Sequence, residues 1–194
     1  MNKFTKIHAY GCSFTAGDEL RDHEILGLDF EQCFVTKLEK GFKDFHLLKF
    51  SKTKTFGQQI EDNKSVNHSA SWASHLANRL DKEFTNLAQG GSSLDQCLYN
   101  MIRDEHDGKI DKETLRLVGI TTPHRVMIWP SDTSPSSYVL GTDQSRGIPH
   151  KIMKWNIQNL WTENMQVINW ISNLIAIKNL GGNVYFQPML GKCD

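Results

Sequence analysis

The sequence lacks net charge. Lys plus Arg and Asp plus Glu total 22 each, for a formal charge of +0, so there is no specific nucleic-acid signal and no global field calling for such a partner. It also lacks a long hydrophobic run. No uninterrupted stretch approaches the ~18 apolar residues of a membrane helix, and no membrane span is expected. Met1-Asn2-Lys3-Phe4-Thr5-Lys6 has none of the apolar core of a secretory signal. Cysteine is sparse. Cys12, Cys33, Cys97 and Cys193 show no tight ligand spacing, which argues against a structural zinc or a disulfide framework. Reduced thiols and a cytoplasmic or intracellular setting are the simpler expectation. Neither a metal nor another cofactor is called for.

What is present suits one folded domain. The chain has 194 residues, of which 39% are hydrophobic and 10% aromatic, enough for a sizeable core and too many for general disorder. Its most distinctive stretch is Lys6-Ile7-His8-Ala9-Tyr10-Gly11-Cys12-Ser13-Phe14-Thr15-Ala16-Gly17-Asp18. A short apolar run reaches two glycines that bracket a serine, the pattern of a buried strand turning at the mouth of a sheet. Two familiar motifs do not fit. The glycines are followed by Asp18 rather than Lys-Ser/Thr, which rules out a phosphate-binding loop. Thr15 stands where a G-x-S-x-G nucleophile elbow needs its last glycine.

Residues 20–70 form a mixed excursion with apolar anchors at Phe30, Phe34, Phe42, Phe45, Leu47, Leu48 and Phe50 but no single period. We read it as a cover over the active face, with the basic run 49–54 as a solvated loop. The spacing of Trp72, Ala73, Leu76, Ala77 and Leu80 predicts a helix over 71–80. A strand is expected over 83–88, then a Gly90-Gly91 turn, then a helix over 94–105 capped by Ser92 or Ser93. Leu94, Leu98, Met101 and Ile102 should face its core, leaving Asp95 and Arg103 more exposed. Residues 114–120 read as a strand that ends before Pro123, and 125–129 as a further extended segment. Residues 131–149 have loop composition. Apolar residues then return at helical intervals over 151–180, including Met165, Ile168, Ile171, Leu174 and Ile175, until Gly181-Gly182 stops the helix. Val184-Tyr185-Phe186 is the last expected strand. Repeated strand, turn and helix favour a three-layer α/β/α domain with a mostly parallel sheet.

Gly11-Cys12-Ser13-Phe14-Thr15-Ala16-Gly17 resembles the nucleophile block of the SGNH or GDSL-like hydrolases. Asn86-Leu87-Ala88-Gln89-Gly90-Gly91-Ser92 resembles their second block, and Val118-Gly119-Ile120-Thr121-Thr122 stands in the place of the third. The pattern spans about residues 6–190, excluding the excursion. The resemblance implies a flavodoxin-like fold and Ser13 as the nucleophile of an acyl-transfer reaction. It implies an oxyanion hole from the Ser13 and Gly90 backbone N–H groups, or Gly91 if the turn register shifts by one. Thr121 stands where the family carries an oxyanion-binding Asn, and its hydroxyl can donate one hydrogen bond.

The family also places a catalytic Asp-x-x-His pair after its last strand, and no such motif follows Phe186 here. The expectation is therefore a chain whose C-terminal catalytic segment is absent. His124 and His150 are the alternative bases, with Asp132 or Asp143 as the acid. His68, His75 and His106 read as polar or helix-surface residues. Two function classes follow: a serine ester or acyl hydrolase working through a Ser13 acyl-enzyme, and a noncatalytic carbohydrate-binding or assembly protein that keeps the fold. Esters or acylated carbohydrates are the expected ligands. Oligomeric state is not encoded in any motif.

Overall fold

A computed structural model describes residues 4–49, 52–128, 136–139 and 162–188. Four strands form one parallel sheet: β1 (Lys6–Tyr10), β2 (Glu83–Asn86), β3 (Thr114–Ile120) and β6 (Asn183–Pro188), in the order β2-β1-β3-β6. β1 is central. Lys6 lies opposite Glu83 on one side and Thr114 on the other, and Tyr10 lies opposite Val118.

The pleat sends alternate side chains to opposite faces, and each face is closed by helices. Ile7, Ala9 and Leu117 pack against Ala73 and Ala77 of α7 (Trp72–Arg79). Tyr10 and Val118 pack on the other face, against Leu94, Cys97 and Met101 of α8 (Leu94–His106) and Ile177 of α9 (Glu163–Asn179). The result is a three-layer α/β/α architecture around a parallel sheet.

Five short helices occupy the excursion: α2 (Asp22–Leu26), α3 (Phe30–Lys40), α4 (Phe42–Phe45), α5 (Phe56–Asp62) and α6 (Lys64–Ser69). They have their own small core of Leu26, Cys33, Phe45 and Phe56. Among the expected anchors that are described, only Phe45 is fully buried, while Phe30, Phe34, Phe42 and Leu47 are exposed. So small a cluster cannot cover all its apolar side chains. Within the basic run, Lys54 pairs with Asp62 of α5.

Three other expectations need correction. The segment read as a loop contains β5 (Ser136–Val139), antiparallel to β4 (Arg125–Ile128); strand pairing is set by a partner, which composition does not reveal. Ile102 is exposed, because α8 turns Cys97, Asn100 and Asp104 inward instead. On α9, Trp170 and Leu174 face the core while Met165, Ile168, Ile171 and Ile175 stay exposed. A helix apolar on nearly every side offers more than one credible stripe, and only packing selects one.

The expected cap of α8 agrees with the structure. Ser93 is the N-cap of α8, its hydroxyl accepting from Gln96 N. Among the described helices, none is long and apolar enough to cross a membrane. Cys12, Cys33 and Cys97 are free and buried. Trp129, Phe50, Asp132, Asp143, His150 and Cys193 lie outside the described residues.

Candidate functional site at the end of the central strand

Tyr10 ends β1 inside the core, its hydroxyl donating to Asp104 Oδ2 at 3.2 Å. Gly11 follows at φ 155°. A β-carbon there would stand 2.3 Å from Thr15 Oγ1, so glycine lets the chain fold back at once into the one-turn helix α1 (Ser13–Ala16). Gly17 closes that turn at φ 78°, and a β-carbon would meet the Asn67 carbonyl at 2.7 Å. Both glycines are thus required by close approach as well as by backbone conformation. Ser13 is half-buried at the start of the turn.

The second block docks alongside. Leu87 N donates to Ala9 O at 2.8 Å and Gln89 N to Gly11 O at 3.0 Å, carrying the pairing past the strand ends. The Asn86 amide donates to Thr15 O at 3.2 Å and Ala16 O at 3.4 Å, while its Oδ1 accepts from Ala88 N. Asn86 therefore clamps the Ser13 turn to the Gly90 loop. The backbone N–H groups of Ser13, Gly90 and Gly91 donate to no other described residue, which leaves them available for a negatively charged oxygen. Gly90 itself is closely covered: a β-carbon would lie 2.6 Å from Asp18 Oδ2.

Two cavities meet here. Ser13, Phe14, Gly17, Asp18, Glu19, Leu20 and Phe30 line one of about 480 Å³. The other, about 550 Å³, is polar and is walled by Asp18, Glu19, Asp22, Glu61, Lys64, His46, His68 and Gly90, among others. Asp18 and Glu19 belong to both. Desolvation, reinforced by the carboxylates of Asp22, Glu19 and Glu61, pushes the Asp18 carboxyl up to about 6. Burial, together with the Lys64 ammonium, holds the His68 imidazole below its ordinary value. No group of three or more His, Cys, Asp or Glu among the described residues could hold a metal ion.

The sequence-predicted residues divide clearly. Ser13 and Gly90 line adjoining cavities that share Asp18 and Glu19, and Gly91 lines neither. Thr121 lies after β3 with its hydroxyl buried and without a hydrogen-bond partner among the described residues, while its carbonyl accepts from Trp170 Nε1 at 2.8 Å. It lines neither cavity. His124 Nδ1 lies 2.8 Å from Gln166 Oε1 of α9, and His124 too is absent from both cavity walls. Sequence reasoning missed Asp18, Leu20, His46 and the cavity position of His68, and had Phe30 only as an apolar anchor of the excursion. Only Asp18 carried a signal, standing next to the glycine that closes the serine turn. The other four arrive through the folding of the excursion.

Compared with family models, curated proteins and solved structures, the chain matches none of them.

Proposed function

We propose that the chain is a divergent SGNH-like domain of flavodoxin-like order whose Ser13 serves as the nucleophile of an ester or acyl hydrolase. The observation that supports this reading is that Ser13 and Gly90 line two cavities sharing Asp18 and Glu19, with the Gly90 N–H donating to no other described residue. β2 and β3 lie on opposite sides of that strand, which makes its carboxyl end a topological switch point, where open α/β sheets bind ligands. The β2-β1-β3 arrangement, continued by a later strand, supports the flavodoxin-like order. In this mechanism Ser13 Oγ attacks the acyl carbon. The Ser13 and Gly90 N–H groups stabilise the tetrahedral oxyanion, and water then releases the acid.

A second reading is favoured by one specific observation. Among the described residues, no histidine lines the Ser13 cavity, whose titratable walls are the Asp18 and Glu19 carboxylates. A noncatalytic binding or assembly protein would keep the serine turn without a base.

Hydrolysis of a panel of p-nitrophenyl esters, together with mass-spectrometric detection of a fluorophosphonate adduct, separates the two. The hydrolase reading expects labelling at Ser13 and loss of turnover in Ser13→Ala, with the fold retained by circular dichroism. Turnover unchanged by Ser13→Ala overturns the nucleophile assignment. A well-folded wild type with neither turnover nor labelling supports the binding protein.

A further inference from the structure

α9 is apolar on two opposite sides. Trp170, Leu174 and Ile177 face the core. At about 100° per residue, Ile168, Ile171 and Ile175 stand on the other side, and they are 63%, 45% and 54% exposed. Met165 and Val167 flank that stripe, one on each side, and are exposed as well. A surface helix ordinarily turns charge outward. Here the only charged residues of the helix are Glu163 and Lys178, close to its two ends. Five half-exposed side chains leave roughly 400 Å² of apolar surface, the size at which patches on a monomer give way to contact sites.

We propose that this face joins two copies of the chain, with their α9 helices antiparallel about a two-fold axis at Ile171. The charge pattern selects that occupant. Glu163 and Lys178 fall on the same flank of the isoleucine stripe, the flank of Val167. Ile171 stands about midway between them in the helix, and about midway between Ile168 and Ile175. In an antiparallel pair crossing there, Ile168 of one copy packs on Ile175 of the second copy, and Ile171 meets its own counterpart. The same register sets Glu163 beside Lys178 of the second copy, twice over. A parallel pair would instead set Glu163 against Glu163 and Lys178 against Lys178. The patch is complementary to itself, as an isologous interface requires. Asn164, Ser172 and Asn179 are exposed around the stripe and supply a polar rim. Two copies would cover roughly 800 Å² of apolar surface, which suits a reversible dimer and not an obligate one. No residue of α9 lines either cavity beside Ser13, so the association stands apart from the Ser13 reading.

Sedimentation velocity of the full chain from about 2 to 200 µM tests it, with circular dichroism to confirm that each variant is folded. Wild type should pass from monomer to dimer within that range. Ile171→Asp brings two carboxylates together on the axis and should weaken dimerisation at least about a hundredfold. Ile175→Gln adds no charge, should weaken it about tenfold, and serves where the acid disturbs the helix. Glu163→Lys and Lys178→Glu should each weaken the dimer about fivefold. The double variant restores both pairs in the reversed sense and should return to within about twofold of wild type. A wild type that stays monomeric at the highest concentration overturns the proposal and leaves the face to a different partner. A dimer untouched by well-folded Ile171→Asp and Ile175→Gln overturns its placement on α9. Single charge reversals without effect, or no recovery in the double variant, overturn the antiparallel register.

Discussion

The sheet and the excursion are held together by different physics. The sheet buries both faces under helices, with Ile7, Ala9, Met101, Val118 and Ile177 wholly enclosed; its order follows from apolar burial on an alternating scaffold. The excursion has only a small apolar core and relies on a buried polar knot. Asp22 accepts from Lys37 Nζ and from Asn67 Nδ2, both at 2.8 Å, and Asn67 Oδ1 accepts from Arg21 N at 2.7 Å. Both Asp22 and Lys37 are buried. Directional contacts fix the geometry of a segment too small to fix it by burial, and they let it keep large apolar side chains on its surface beside Ser13. The sheet presents the serine, and the polar-tied segment adds Leu20 and Phe30 to the walls around it.

The strongest way to break this comparison is to unpair the knot. Asp22→Ala strands the Lys37 ammonium in the interior and should cost about 4 kcal/mol. The loss should appear first in the excursion: limited proteolysis should cut within residues 22–62 while the sheet persists. Met101→Ala, in the sheet core, should cost about 3 kcal/mol, but in a single global transition by urea melting. A single global transition in both variants would dissolve the distinction between the two regions.

A second test addresses the seam. A β-carbon on Gly17 would stand 2.7 Å from the Asn67 carbonyl, and Gly17 sits in the left-handed region. Gly17→Ala is therefore expected to destabilise by about 2 kcal/mol. It should also reduce turnover of any ester substrate along with stability, because Gly17 closes the Ser13 turn by donating to Ser13 O. A melting temperature equal to wild type would show that the two halves are not joined there.

The smallest effect concerns charge. The Asp18 carboxyl is raised above its unfolded value of 3.8, to about 6. Between those values the folded state holds the proton more tightly than the unfolded chain does. Its contribution is thus favourable at low pH and is lost as pH rises through roughly 4 to 6. Asp18→Asn should flatten that part of the stability profile and stabilise the protein slightly at neutral pH. Asp18 is open to solvent at the cavity mouth, so screening limits the gain to less than about 1 kcal/mol. A stability profile over pH 4–7 identical in wild type and variant would remove the carboxylate repulsion from the account.

The layered architecture was legible in the chain because its signals are local. Alternation along 114–120, the apolar stripe of 72–80 (of which Leu80 ends up exposed beyond the helix) and the glycine pairs each report on neighbours a few residues away. Ser13 and Gly90 were legible for the same reason, as residues in short glycine-containing turns at strand ends. The rest depends on contacts between distant residues. Asn86 clamps Ala16 across 70 positions, and Asn67 reaches Asp22 across 45; neither pairing leaves a periodic trace. Which side of α9 turns inward, and which phenylalanines of the excursion stay outside, were settled by competition for limited core volume. By itself, then, the sequence determined a parallel α/β framework and a serine poised at its edge, because backbone preference and hydrophobic period are written residue by residue. Only the tertiary structure decided what surrounds that serine: Leu20 and Phe30 beside Phe14, Asp18 and Glu19, next to a polar cavity that also holds Asp22, Glu61 and Lys64. The part of it beyond residue 19 comes from folding residues 20–70 back beside the serine turn.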